Sequence, residues 1–302
     1  MRLERFAPAK VNLFLHVGPL QADGYHPVAS LMAFASVGDR LRVEPAAQMS
    51  FVVEGPFAGE LGGEAGADAA GNLVVRARDA FIAAFPRDWA PFRISLQKNL
   101  PVAAGLGGGS SDAAAALHLM AEAASLGDEG ASAQARMLAV ARALGADVPA
   151  CLRGEALMAT GRGDECDWPP VFPDLDAVLV NPLAAAPTGA VYRAYDAAGA
   201  PGSAEPPPWP EPMATPQAVA RYLAAARNDL QAPAIDLAPA IGDVLAALET
   251  QPQTLLARMS GSGATCFAIC VDAASARDLA RKIAGDHAGW WVQACRLAGF
   301  RG

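Results

Sequence analysis

The stretch that decides the fold is Pro101-Val102-Ala103-Ala104-Gly105-Leu106-Gly107-Gly108-Gly109-Ser110-Ser111, set between an alternating apolar segment, residues 92–96, and an alanine-rich run, residues 110–126. A strand that passes through glycines into a helix leaves backbone N–H groups unshielded by side chains at the positive end of a helix dipole. Such a loop is an anion site. It has neither the GxxxxGK[ST] spacing of a Walker loop nor the βαβ context and trailing acid of a dinucleotide fold. A glycine-rich turn without a ligand is the reading that composition alone leaves open beside it.

Around the loop, the 302 residues suggest two domains, at about 150 residues each. With 53% hydrophobic and 18% charged residues the chain is globular rather than disordered. A net charge of −8 and the lack of a dense Lys/Arg patch argue against a nucleic-acid partner. No run approaches a membrane span, and the N-terminus carries Arg2, Glu4, Arg5 and Lys10 in place of an apolar leader, so no membrane partner is expected. The five cysteines (151, 166, 266, 270 and 295) form no CxxC pair, which points away from disulfides and zinc and towards a reducing cytoplasm. Of 23 basic residues only Lys10, Lys98 and Lys282 are lysines, so each invites a reason.

Along the chain, residues 5–17 alternate and predict one strand, with Lys10 and Asn12 side by side on one face and Pro8 marking a bulge or edge. Asp23-Gly24-Tyr25-His26-Pro27 reads as a turn. Alternation resumes over 41–53, and residues 60–71 read as a surface loop. Helical spacing appears at 72–85, at 110–126 with a stop at Gly127, and at 132–144 with a stop at Gly145; Asp147-Val148-Pro149 opens the next element. Past about residue 158 a strand at 176–180, an extended segment at 201–216 with seven prolines, helices at 217–226 and 241–250, a strand at 264–271 and a helix at 273–285 follow. This mixed order predicts a two-domain α+β enzyme, divided into 1–158 and 159–302.

Several residues carry chemistry in one reading and not in another. Asp147 is a helix N-cap or a carboxylate that accepts a hydroxyl proton. Lys10 is a solvated strand lysine or a charge partner for a transferring group. Tyr25 and His26 are a surface turn or a pair that stacks on a pyrimidine and bonds its edge. His16, His118 and His287 have no partner at metal or triad spacing, and Ser262 lacks the GxSxG frame of a hydrolase.

Read together, these segments resemble the GHMP small-molecule kinases. Ala7-Pro8-Ala9-Lys10-Val11-Asn12-Leu13 is similar to that family's first motif, and residues 101–111 to its phosphate loop. Leu144-Gly145-Ala146-Asp147-Val148-Pro149 is similar to its catalytic acid motif, and Ser260-Gly261-Ser262-Gly263-Ala264 to its third motif. The likeness runs over nearly the whole chain. Asp112 behind the serines, with Asp23-Gly24-Tyr25-His26, lies nearest the branch that phosphorylates the 2-hydroxyl of an acceptor carrying a cytidine diphosphate group, in the non-mevalonate isoprenoid pathway.

The resemblance implies an N-terminal ribosomal-protein-S5-like ATP-binding domain and a C-terminal ferredoxin-like domain with a cleft between, in a monomer or weak homodimer. It implies Asp147 as base and Lys10 as its charge partner. It implies ATP on Pro101, Ala103, Ala104, Gly105, Leu106, Gly107, Gly108, Gly109, Ser110 and Ser111, with Asn72, Leu73 and Lys98 lining the purine. Asn12, Tyr25, His26, Thr188 and Tyr192 hold the acceptor, Tyr25 and Tyr192 as the walls of a cytosine sandwich. Magnesium is expected with ATP, although no acid is placed by sequence as its ligand. Ala103 and Ala104 replace glycines common in related loops, so their backbone is expected to tolerate a Cβ. Asn228 and Asp229 are expected to shape the cleft. The rivals are a homoserine- or mevalonate-type kinase, against which Tyr25 and His26 speak, and a non-catalytic sensor of the same fold, against which Lys10 and Asp147 speak.

Overall fold

The computed structural model describes residues 2–61, 71–126, 130–169, 171–199, 202–209 and 213–298. Gly127, most of the expected 60–71 loop, and residues 201 and 210–212 of the proline-rich segment lie outside them. Two compact units form, interleaved along the chain: residues 1–9, 38–102 and 107–154 in one, residues 10–37, 103–106 and 155–302 in the other.

In the first unit the end of β3 (Val28–Pro45) pairs antiparallel with β5 (Phe92–Gln97), and β4 (Ser50–Glu54) pairs with β5 in parallel. The alternation is the expected one: Leu41, Val43, Ile94 and Leu96 are buried, while Arg40 and Arg42 reach Glu4 on the open face. Helices α1 (Leu73–Ala84), α2 (Gly108–Ala123), α3 (Gly130–Leu144) and α4 (Val148–Arg153) complete the unit. Helix α1 begins where the Asn72 side chain accepts the Val74 N–H at 2.9 Å, and it buries Val74, Ala77 and Phe81 at helical spacing.

In the second unit β8 (Leu175–Asn181), β9 (Thr254–Met259), β10 (Cys266–Cys270) and β11 (Trp291–Ala298) form an antiparallel sheet in the order β11-β8-β10-β9. Helices α5 (Thr188–Ala197), α6 (Pro216–Ala224), α7 (Gln231–Leu237) and α8 (Ala240–Glu249) come between the first two of these strands, and α9 (Ala273–Asp286) between the last two. A βαββαβ path with spatial order fourth, first, third, second is the ferredoxin-like arrangement expected for the C-terminal half. The hairpin β6 (Leu157–Thr160) and β7 (Glu165–Asp167) joins the start of β3 at residues 30–32.

Where one strand was expected over residues 5–17 there are two, β1 (Leu3–Asn12) and β2 (His16–Val17). The break falls where Leu15 turns its N–H to the Arg227 carbonyl at 3.0 Å and bridges Asn228. Arg258, buried on β9, secures this departure. Its guanidinium donates to the carbonyls of Leu13 (3.0 Å), Leu223 (2.7 Å) and Ala226 (2.9 Å), so it caps the end of α6 and holds the first motif at once. Burial pushes its pKa down to about 10, and it stays charged at neutral pH. Arg258→Met leaves three carbonyls without this donor and is expected to lower stability by roughly 3 kcal/mol; a denaturant midpoint equal to that of the parent chain would contradict this.

Candidate active site

The end of β1 carries Lys10 and Asn12, both buried. As the period of two requires, they share a face: the Lys10 ammonium donates to Asn12 Oδ1 at 2.8 Å. Asn12 Nδ2 donates to Ser30 Oγ at 2.7 Å, and Ser30 passes its own proton to the Phe14 carbonyl at 2.6 Å. The amide is therefore held in one orientation, its oxygen towards the lysine. Lys10 is a buried, partnered cation and not a solvated strand lysine.

Backbone bonds bring the two glycine motifs to this pair. The Lys10 N–H donates to the Leu106 carbonyl at 2.8 Å. Ser260 Oγ accepts the Asn12 N–H at 3.1 Å and donates to the Gly105 carbonyl at 2.9 Å, while Thr265 N–H reaches Ala104 at 3.1 Å. Segments about a hundred and two hundred and fifty residues from the first motif thus meet it through backbone groups and the single side-chain hydroxyl of Ser260. Gly105 is required here: φ is +73°, and a Cβ would come 2.3 Å from the Ser260 carbonyl oxygen. Ala104 is buried, but Ala103 departs from the expectation. It sits at φ +51°, in the left-handed region, which costs a residue with a Cβ roughly 1–2 kcal/mol.

From Leu106 the chain runs into the other unit, where Gly107 caps α2. The first bond of that helix runs from Ser111 N–H to the Gly107 carbonyl at 2.9 Å, so the amides of Gly108, Gly109 and Ser110 precede its ladder. Three successive donors at a helix start fit phosphate oxygens. Of the two serines, Ser111 is committed, its hydroxyl donating to the Pro8 carbonyl at 2.7 Å; Ser110 is the half-exposed one. Pro101 and Leu106 are buried supports, and Leu73 stands beside Gly109, a Cβ on which would meet the leucine methyl at 3.4 Å. Asn72 spends its carbonyl oxygen on the α1 cap.

Beneath the start of α2 lies a buried charge cluster that sequence reading did not foresee. Lys98 donates to Asp39 at 2.5 Å and to Asp112 at 2.9 Å, and all three are nearly inaccessible. Asp39 also accepts the N–H groups of Asn99 (2.6 Å) and Leu100 (2.9 Å), fixing the approach to the loop. The Lys98 ammonium is therefore neither solvated nor open to a ligand. Burial works against its charge, and the facing Asp112 and Asp39 more than restore it, so its pKa is raised. Burial pushes Asp112 up to about 7, with Lys98 opposing the rise and Asp39 adding to it; its Oδ1 has no hydrogen-bond partner among the described residues. Asp112, first met as a motif residue, thus acts below the loop.

In the turn expected to face the acceptor, Tyr25 is exposed, with the Arg162 guanidinium 3.5 Å from its ring centroid. Arg162, from the β6–β7 hairpin, carried no sequence signal. His26 Nδ1 donates to the Gly18 carbonyl at 2.8 Å and Nε2 faces Asp196 at 3.3 Å, so both ring nitrogens are engaged. Tyr192 lies against His26, with centroids 5.3 Å apart and planes at 33°. Thr188 bonds Ser262 at 2.8 Å, which gives that serine of the third motif a structural partner. Asn228 supports the same motif, donating to the carbonyls of Met259 and Gly261 at 2.8 Å each, and Asp229 accepts the Val17 N–H at 2.7 Å.

Asp147 occupies the N-cap position of α4, yet its side chain makes no capping bond; only its carbonyl enters the helix, accepting Cys151 N–H at 3.0 Å. The cap reading thus describes the backbone of Asp147 and not its side chain. His118 donates to the Leu152 carbonyl and His287 stacks on Trp290, both structural contacts. Among the described residues no group of three or more His, Cys, Asp or Glu side chains is placed to hold a metal ion, and no helix is long and apolar enough to cross a membrane.

Two family models match this chain, GHMP kinases N terminal domain over residues 72–155 and GHMP kinases C terminal over residues 215–287. The chain belongs to the GHMP kinase family and is a phosphotransferase. Among curated relatives, the 4-diphosphocytidyl-2-C-methyl-D-erythritol kinase of Caulobacter sp. (strain K31) is 54% identical, with 99% of each chain covered, and that of Caulobacter vibrioides (strain NA1000 / CB15N) is 51% identical over 99% of this chain and all of its own. A crystal structure of 4-(cytidine 5'-diphospho)-2C-methyl-D-erythritol kinase superposes with TM-score 0.73 at 33% identity, covering 99% of this chain and 100% of that one. A homoserine kinase from Cytophaga hutchinsonii, at TM-score 0.66 and 17% identity, shares the fold alone.

The buried cluster makes a pH prediction. Asp112 titrates near 3.8 when unfolded and about 7 when folded, so between these values the folded chain holds the extra proton and loses stability as pH rises. Asp112→Asn removes that dependence. Its melting temperature relative to the parent is expected to rise between pH 5 and pH 8; a constant or falling difference would contradict the raised pKa.

Proposed function

We propose that this chain transfers the γ-phosphoryl group of ATP to the 2-hydroxyl of 4-diphosphocytidyl-2-C-methyl-D-erythritol, a step of the non-mevalonate isoprenoid pathway. The observation that carries this reading is the knot of bonds joining Lys10 and Asn12 to Gly105, Leu106 and Ser260, in a chain whose full-length relatives bear that kinase's name. The division into modules 1–158 and 159–302 is supported by family matches that fall on either side of that boundary, whereas the compact units assign residues 10–37, 103–106 and 155–158 to the unit of the C-terminal half.

In this reading the amides of Gly107, Gly108, Gly109 and Ser110, with the Ser110 hydroxyl, bind the nucleotide's phosphates, and Asn72 and Leu73 flank the purine. Lys98 acts from below by holding the loop's base, its ammonium being spent on two carboxylates. Magnesium would enter with the nucleotide and would supply charge neutralisation at the phosphates, no side chain here being assigned to hold it. Asp147 accepts the proton of the 2-hydroxyl as its oxygen bonds the γ-phosphorus and the bond to the β–γ bridging oxygen breaks, releasing ADP. Lys10, oriented through Asn12, offsets the charge that builds on the transferring group. Tyr25 and Tyr192 wall the cytosine, and His26, its ring nitrogens occupied, reads the base edge with its main chain. Thr188 lines the same side.

The test is ADP release by the purified chain, with and without the cytidylyl acceptor. Asp147→Asn is expected to cut kcat by about a thousandfold while nucleotide still binds, as loss of a general base does. Tyr25→Ala is expected to raise KM for the acceptor by roughly tenfold and leave that for ATP unchanged. Acceptor-independent ADP release, near-normal turnover of Asp147→Asn, or equal shifts of both KM values would overturn the assignment.

A further inference from the structure

The proline-rich segment has no part in the chemistry above, yet residues 202–209 are fastened along their length. Tyr195 Oη accepts the Gly202 N–H at 2.8 Å, Arg227 donates to the Ser203 carbonyl at 3.1 Å, and Tyr222 donates to the Pro207 carbonyl at 3.1 Å. Trp209 packs on Tyr222 with centroids 5.4 Å apart. The Glu205 carbonyl accepts a bond of 2.7 Å from His16 Nδ1, and His16 Nε2 accepts the Arg227 N–H at 3.2 Å. Both ring nitrogens of a buried imidazole are thus committed, in the neutral tautomer with hydrogen on Nδ1. Consecutive prolines suit this role, since an extended proline stretch has no internal bonds to give up and little conformational freedom to lose.

What the segment is fastened to is the strand that carries the acceptor turn. Tyr195, besides taking the Gly202 N–H, donates to the Val17 carbonyl at 2.6 Å. The next residue, Gly18, holds the turn at two points: its N–H donates to the Pro27 carbonyl at 2.8 Å, and its carbonyl accepts His26 Nδ1 at 2.8 Å. Ala204 and Pro27 both press on Gly18, where an added Cβ would come 3.3 Å from the alanine Cβ and 2.7 Å from the proline ring. His26 also packs edge-on against Tyr195, with centroids 5.8 Å apart.

We infer that residues 202–209 are a positioning strap: by pinning Val17 and Gly18 they set the place of Tyr25 and His26, and with it the affinity for the cytidylyl end of the acceptor. The inference rests on the assignment of Tyr25 and His26 to the acceptor.

Two variants loosen the strap without altering any residue assigned to substrate. Gly202→Ala places a Cβ 2.7 Å from Asp229 Oδ2 and 2.9 Å from the Val17 carbonyl oxygen. Tyr195→Phe keeps the ring and deletes the hydroxyl that joins Val17 to Gly202. Each is expected to raise KM for the cytidylyl acceptor about tenfold, with kcat and the ATP KM within about twofold of the parent. An unchanged acceptor KM in both variants, or an equal rise for both substrates as general destabilisation would give, overturns the strap. Hydrogen exchange of the ligand-free chain is the second readout: the Gly18 amide should exchange faster in both variants while those of β8 do not change, and unaltered exchange at Gly18 overturns the inference. Failure of the acceptor assignment is distinguishable, because the parent chain itself then shows no acceptor-dependent turnover while the exchange measurement still decides whether the strap holds the turn.

Discussion

The hydroxyl of Ser260 accepts the Asn12 amide and donates to the Gly105 carbonyl, and through those two bonds three segments far apart in sequence become one site. A neutral hydrogen bond contributes only about 1 kcal/mol net, but a buried N–H or C=O left unmade costs about 1–3 kcal/mol. The constraint is therefore one of satisfaction. Once β1 and the loop are buried together, the Asn12 N–H and the Gly105 carbonyl need a partner, and a group that both donates and accepts at that point serves both. The neighbouring bonds obey the same logic: Lys10, Asn12 and Ser30 form a donor–acceptor chain that ends on a backbone carbonyl. The ammonium ends up fixed by a sequence of commitments, each with its alternatives removed.

The loop's other half is supported differently. Where residues 104–106 are held by neutral hydrogen bonds, the start of α2 stands on charge, with Lys98 between Asp39 and Asp112. A buried cation between two carboxylates cannot keep both of them ionised cheaply, and Asp112 yields. The cluster thus carries a proton that exchanges near neutrality directly under the amides proposed to bind phosphate. Backbone placement there depends on side chains that do not touch the ligand.

Much of this was legible in the sequence, for physical reasons that differ by element. Residues 72–85, 92–96 and 273–285 announce themselves through caps and clean periodicity, and they fold as read. The start of β3 does not, because residues 28–35 are buried on both faces and are apolar at every position but Ser30, with no alternation. Lys10 and Asn12 could be paired by their spacing; Ser30 and Arg258 could not, since their partners are backbone carbonyls or groups brought close only by the fold. Lys98 was correctly singled out as a rare lysine, but its destination, Asp39, lies 59 residues away with no motif around it. Ala103 shows the limit of reading a glycine's absence: the alanine occupies a left-handed backbone all the same, held there by what surrounds it.

The junction of the three segments depends on the Ser260 hydroxyl, and Ser260→Ala removes that group alone. Steady-state phosphoryl transfer with ATP and the cytidylyl acceptor, beside a thermal unfolding curve of the same preparation, is the deciding measurement. The predicted result is a cooperative fold with kcat/KM lowered by roughly tenfold or more, because Gly105 and Asn12 lose their common tie and the loop shifts relative to Lys10. A variant that unfolds cooperatively and turns over within about twofold of the parent would contradict it, since the three motifs would then be held together by something other than the bonds described.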